Sequence, residues 1–104
     1  MMKEDHNITE DILEVMHILD TDPKISQRVI AKQSGFSIGK VNYCLKALGN
    51  VGYIKLQNYN KSDNKIAYAY ILTPKGIKEK IRITNKFIAR KQQEYDKLVS
   101  YINK

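Results

Sequence analysis

The 104-residue sequence predicts a mainly α protein with one small β-hairpin, an α+β fold. Three observations predict it. Apolar residues recur at helical spacing in three segments before residue 50. The pattern then switches to period two across residues 53–72. Behind a Thr-Pro pair, a heptad seam runs nearly to the last residue.

From Asn7 onward, Ile8, Ile12, Val15, Met16 and Leu19 fall on one helical face. Glu10, Asp11 and Glu14 lie near its amino end, where acidic groups suit the helix dipole. Thr9 or Asn7 can cap this helix, and Asp22-Pro23 stops it near Asp20. Ser26 then caps a short second helix that buries Val29, Ile30 and Ala31, with Ile25 in an extended segment just before it. Ser34-Gly35-Phe36 breaks the chain, Gly35 being suited to a left-handed turn. Ser37 caps a third helix with an inner face of Val41, Cys44, Leu45 and Leu48; Lys40, Asn42, Tyr43 and Lys46 point elsewhere. Gly49 and Gly52 are expected to terminate it.

Residues 53–59 and 66–72 are rich in aromatic and branched side chains and flank a polar stretch, which makes them a hairpin with a long, charged tip. In the second strand Ile66, Tyr68, Tyr70 and Leu72 share one face, and Ala67, Ala69 and Ile71 the other. Thr73 caps the final helix, and Pro74 opens it where a missing N–H is harmless. Along that helix Ile77, Ile81, Thr84, Ile88, Lys91, Tyr95, Leu98 and Ile102 alternate spacings of four and three, flanked by Phe87, Val99 and Tyr101. Ile77 and Ile81 can fold back on their own domain. The rest exceeds what so small a body can cover, so a second copy is the expected partner. The dimerisation residues are then Thr84, Phe87, Ile88, Lys91, Tyr95, Leu98 and Ile102, with Lys91 setting register or orientation.

Charge narrows the function classes. Residues 1–36 carry a net −3, residues 37–72 a net +4 and residues 73–104 a net +6, which suggests an anionic partner met by part of the surface. No apolar run approaches the roughly 20 residues of a membrane span, and no apolar signal segment follows Met1. A single cysteine, Cys44, forms no internal disulfide and suits a reducing cytoplasm; it reads as a small buried hydrophobe, with a redox switch the weaker reading. His6 and His17 have no partners at metal-ligand spacing, and no phosphate loop, nucleophile elbow or carboxylate pair is visible. Neither an enzyme, a metal nor a cofactor is expected.

Helix, helix, glycine turn, helix and hairpin, in that order, make a winged helix-turn-helix, here with a long C-terminal dimerisation helix. Residues 1–76 form the DNA-binding unit and residues 77–104 a coiled-coil-like helix. The third helix must bury one face and offer the other to a major groove. Ser37, Gly39, Lys40, Asn42, Tyr43 and Lys46 supply that outer face. Asn42 can bond an adenine edge bidentately, Lys40 and Lys46 can reach guanine or phosphate, and Gly39 permits close backbone approach. Ser26, Gln27 and Arg28 lie at a helix amino end suited to phosphate. Lys61, Asn64 and Lys65 at the hairpin tip can straddle the backbone or enter the minor groove. The rival classes are a winged-helix protein adaptor, which requires exposed apolar anchors, and an RNA or single-strand binder, which requires aromatics at the hairpin tip.

Several runs carry a family resemblance: residues 39–48 (Gly-Lys-Val-Asn-Tyr-Cys-Leu-Lys-Ala-Leu), Ser62-Asp63-Asn64-Lys65, Ala67-Tyr68-Ala69-Tyr70 and Leu72-Thr73-Pro74-Lys75-Gly76. From Ser26 to Gly76 the chain resembles the winged-helix domain of the MarR family, nearest to its short exopolysaccharide-associated regulators. The resemblance implies a transcription factor whose dimer reads a two-fold symmetric operator. It also implies a minor-groove arginine in the wing, where this chain has Lys65; lysine is more strongly hydrated and suits a narrow groove less well. The chain is shorter than the usual member, which removes the expectation of the customary effector pocket.

Overall fold

The structure, a computed structural model, describes residues 8–60 and 66–103. Its elements are α1 (Glu10–Thr21), α2 (Gln27–Ser34), α3 (Ile38–Asn50), β1 (Ile54–Asn60), β2 (Ile66–Leu72) and α4 (Pro74–Ile102). Every helix opens on a hydroxyl cap. Thr9, Ser26, Ser37 and Thr73 accept hydrogen bonds from the N–H groups of Ile12, Val29, Lys40 and Gly76. Each satisfies one of the orphan donors of a first turn and is worth about 1 kcal/mol. Gly35 ends α2 at φ 80°, its N–H donating to the Ala31 carbonyl, and the turn redirects the chain into α3.

The core forms where α1, α2 and α3 face one another. Ile12, Val15, Met16 and Leu19 of α1 meet Ile30 and Ala31 of α2 and Val41, Cys44, Leu45 and Leu48 of α3. The α3 stripe is the one that its spacing predicts. Val29 is not part of the core: it is 41% exposed, because Ile30 and Ala31 fill the inward positions of a helix only eight residues long. Gly49 lies inside α3, not at its end; Val51 caps the helix and Gly52 makes the turn at φ 78°.

β1 and β2 pair antiparallel in the register Ile54↔Leu72, Leu56↔Tyr70 and Asn58↔Tyr68. Among the described side chains, those toward the base of the hairpin meet the body. Ile54, Ala69 and Leu72 are buried, whereas Leu56 and Tyr68 are 55% exposed as the ribbon leaves the body. The regular register keeps Tyr68 on the face of Tyr70 and Leu72, but beyond the reach of the core. The Tyr70 N–H donates to the Pro23 carbonyl at 3.0 Å, fastening β2 to the loop before α2, where Ile25 is buried in the core.

At the junction of β2 and α4, Thr73 caps the helix, and its hydroxyl donates to the Gly52 carbonyl at 2.7 Å. One turn on, Gly76 packs on the Tyr53 backbone so closely that a Cβ would lie 2.0 Å from the Tyr53 carbonyl oxygen. This contact fixes the rotation of α4. Gly76, Lys80, Ile83 and Phe87, at spacings of four, three and four, turn inward; Ile83 is fully buried and Phe87 packs on the core. Ile77 and Ile81 do not fold back: they are 46% and 59% exposed, one helical position away from the docked stripe.

α4 runs antiparallel to α1. Lys80 pairs with Asp20 at 3.1 Å near the end of α1, and Lys91 pairs with Glu10 at 3.0 Å near its start. At 1.5 Å per residue, the 29 residues of α4 extend for roughly 43 Å. Its last turns therefore project past the body and contribute to a longest dimension of 66 Å.

Candidate nucleic-acid interface

The outward side of α3 follows from its inward side. Because Val41, Cys44, Leu45 and Leu48 are buried, Gly39, Tyr43 and Lys46 lie on the opposite face. Asn42 stands at its edge, half-buried. Tyr43 is 65% exposed. The amide of Asn42 makes no hydrogen bond among the described residues and is free to bond a base edge. A Cβ at Gly39 would meet only the Ser37 hydroxyl oxygen, at 3.9 Å, so this stretch of helix presents bare backbone to whatever approaches. Ser37 is exposed, its hydroxyl accepting from the Lys40 N–H at 3.0 Å.

Lys40 is placed differently from the expectation. Its ammonium points back to the body, pairing with Asp11 of α1 at 2.5 Å and standing 4.5 Å from the centre of the Phe36 ring. The hydrogen bond to Asp11 holds the Lys40 pKa above the ordinary lysine value.

At the start of α2, Ser26 and Arg28 are exposed, but Gln27 is half-buried and its side-chain amide donates to the Tyr70 hydroxyl at 3.1 Å. That bond ties α2 to the hairpin. It leaves Ser26 and Arg28 as the side chains of this turn open to a phosphate. The tip residues Lys61, Asn64 and Lys65 lie outside the described residues.

Sequence reasoning missed Ile38. It opens α3 at 49% exposure, beside Ser37, where an apolar side chain can meet a thymine methyl. Its signal was available, because Ile38 stands off the buried stripe of its own helix.

Between α1 and α4 lies an open groove of about 1050 Å³, where the shortness of the chain removed the expectation of one. Its floor is apolar, from Leu13, Phe87, Ile88 and Tyr95, and its α1 wall carries Glu10, Asp11 and Glu14. Of the residues expected at a dimer seam, Thr84 donates its hydroxyl to the Lys80 carbonyl at 2.6 Å, Phe87 packs on its own core and Lys91 is paired to Glu10. Ile88, Tyr95, Leu98 and Ile102 are between 60% and 80% exposed. Cys44 is buried among core residues. Among the described residues, no group of three or more His, Cys, Asp or Glu side chains can hold a metal ion, and no helix is long and apolar enough to cross a membrane.

Three helices around one core, a glycine turn before a polar outer helix, and a hairpin that leaves the body define a winged helix-turn-helix protein. Residues 12–55 match the family model described as winged helix-turn-helix DNA-binding. Solved structures agree over most of the chain. A transcriptional regulator homologue from Pyrococcus horikoshii OT3 superposes with a TM-score of 0.67 at 18% identity, covering 88% of this chain and 90% of that one. A MarR/EmrR family regulator from Acinetobacter sp. ADP1 gives 0.63 at 22% identity over 82% of this chain and 58% of that one. AbsC, a MarR family regulator from Streptomyces coelicolor, gives 0.65 at 15% identity over 86% and 61%. At these identities the likeness is one of fold. No curated protein sequence matches the chain.

Proposed function

We propose that the protein is a transcription regulator that binds double-stranded DNA as a homodimer, and that it acts neither as an enzyme nor with a cofactor. The observation that carries this reading is the free outer face of α3, where bare backbone at Gly39 adjoins the uncommitted side chains of Asn42, Tyr43 and Lys46. Asn42 reads an adenine, Ile38 and Tyr43 contact base methyls or sugars, and Lys46, Ser26 and Arg28 hold phosphates. Lys61, Asn64 and Lys65 extend the contact along the backbone as a wing. Residues 77–104 supply the dimer, through the exposed Ile88, Tyr95, Leu98 and Ile102 of α4. The resemblance of the α3 segment to the exopolysaccharide-associated regulators points to genes of that class.

Selection of bound fragments from random duplex DNA tests the reading. The expected product is a two-fold symmetric pair of half-sites spaced by about one helical turn, roughly 10–10.5 base pairs, or a multiple of it. Failure to enrich any duplex overturns it in favour of a protein adaptor, for which Ile38 and Tyr43 are the exposed apolar anchors.

A further inference from the structure

Lys40 sits in the first turn of the proposed reading helix, yet its charge is committed elsewhere. Its ammonium is clasped from two sides: by the Asp11 carboxylate at 2.5 Å and by the Phe36 ring, 4.5 Å to the centroid. Phe36 is half-buried against the core, so this side of the clasp is anchored to the body. Both members of the ion pair remain almost half exposed, at 44% and 45%. The pair is therefore screened and weak, and a phosphate close to α3 can compete for the lysine. Asp11 is held on α1 by its position in the first turn, where the helix dipole favours a carboxylate.

We propose that Asp11 competes with DNA for Lys40, and so lowers the affinity of α3 for duplex of any sequence. The proposal rests on the reading of α3 as the DNA-contacting helix. On random duplex the phosphate contact open to Lys40 is no stronger than its pair with Asp11, so Lys40 stays with Asp11 and contributes nothing. In the seated complex Lys40 leaves Asp11 for a phosphate or guanine edge. Asp11 itself touches no DNA. It withholds one cation from random duplex and imposes the cost of the broken pair on the seated complex, so it lowers affinity for both.

The test compares wild type, Asp11→Asn, Lys40→Ala and the double variant on the selected duplex and on random duplex, across a salt series. Asp11→Asn is expected to tighten random-duplex binding by about two- to fivefold, the range of an exposed ion pair, and selected-duplex binding by at least as much. It should also steepen the salt slope on random duplex by about 0.9, one further phosphate contact. Both effects must vanish in the Lys40→Ala background. An equal gain with and without Lys40 overturns the proposal, because Asp11 then acts only by its own charge. Unchanged random-duplex binding by Asp11→Asn overturns it too. If wild type binds no duplex at all, the DNA reading fails along with it, whereas wild-type binding with an inert Asp11 removes the latch alone. Thermal melting of each variant checks that the fold is intact.

Discussion

The Tyr53 carbonyl oxygen occupies the place that a side chain on Gly76 would need, 2.0 Å from the position of a Cβ. The obstacle is backbone, held by the hydrogen bond from the Thr73 N–H to that same carbonyl at 2.9 Å, so it cannot swing aside. Gly76→Ala is therefore expected to destabilise the protein by about 3 kcal/mol, with a large fall in melting temperature. A melting curve within a degree or two of wild type contradicts the close approach.

Gly39 makes the opposite prediction for stability. An alanine there meets only the Ser37 hydroxyl, at ordinary contact distance, and removes the entropy cost of a helical glycine, so Gly39→Ala should stabilise the fold by about 0.5–1 kcal/mol. The same methyl stands on the face proposed to meet DNA and should weaken binding. Opposite signs in thermal melting and in duplex affinity are the expected pair of results.

Asn42→Ala should cost about 1–3 kcal/mol on the selected site and much less on random duplex, since a bidentate contact to one base is lost. Lys46→Ala should weaken both substrates alike and flatten the salt dependence. Equilibrium titrations at several salt concentrations separate the two behaviours, and an equal loss on both substrates for Asn42→Ala removes it from base reading.

The α4 helix divides near Lys91. Ile83 and Phe87 belong to the body, so a chain ending after Gln92 retains them together with the Lys91–Glu10 pair. It loses Tyr95, Leu98 and Ile102, and is expected to sediment as a folded monomer. A dimer that survives this cut assigns self-association to another surface.

Burial, reinforced by the nearby Asp11 charge, pushes the Cys44 thiol above its ordinary value, and Lys40 opposes the shift more weakly. The folded chain thus keeps this proton to a higher pH than the unfolded chain does. The linked stability is fully present below the ordinary thiol value and declines as pH rises from there toward the raised one. Urea melts of wild type and Cys44→Ala should converge as pH increases through that window; parallel curves would show that the thiol titrates alike in both states.

The three-helix body was legible because its elements announce themselves locally. Hydroxyl caps at Ser26, Ser37 and Thr73, the left-handed turn at Gly35 and the four-residue stripe of α3 all depend on neighbours within a turn or two. The facing of α4 was not legible. Ile77, Ile81 and Ile88 form the stronger pattern by hydrophobicity, yet the weaker stripe of Gly76, Ile83 and Phe87 docks, because contact with Tyr53 sets the rotation of the helix. Gly76 was visible only as part of a short motif, and nothing in the sequence pairs it with a residue 23 positions earlier. The engagement of Lys40 with Asp11 was hidden for the same reason. A polar residue off the buried stripe reads as outward-facing, although a flexible side chain can still turn to a charge on a neighbouring helix.

The two ion pairs at either end of α1 have a geometric consequence. Asp20–Lys80 and Glu10–Lys91 clamp the near part of α4 along about 15 Å of α1 and leave the remainder as a stiff lever. In a pair joined at the lever tips, a tilt of a few degrees at the clamp is carried outward and changes the separation of the two reading heads. In the proposed dimer the exposed Glu10–Lys91 pair makes that separation responsive to ionic strength.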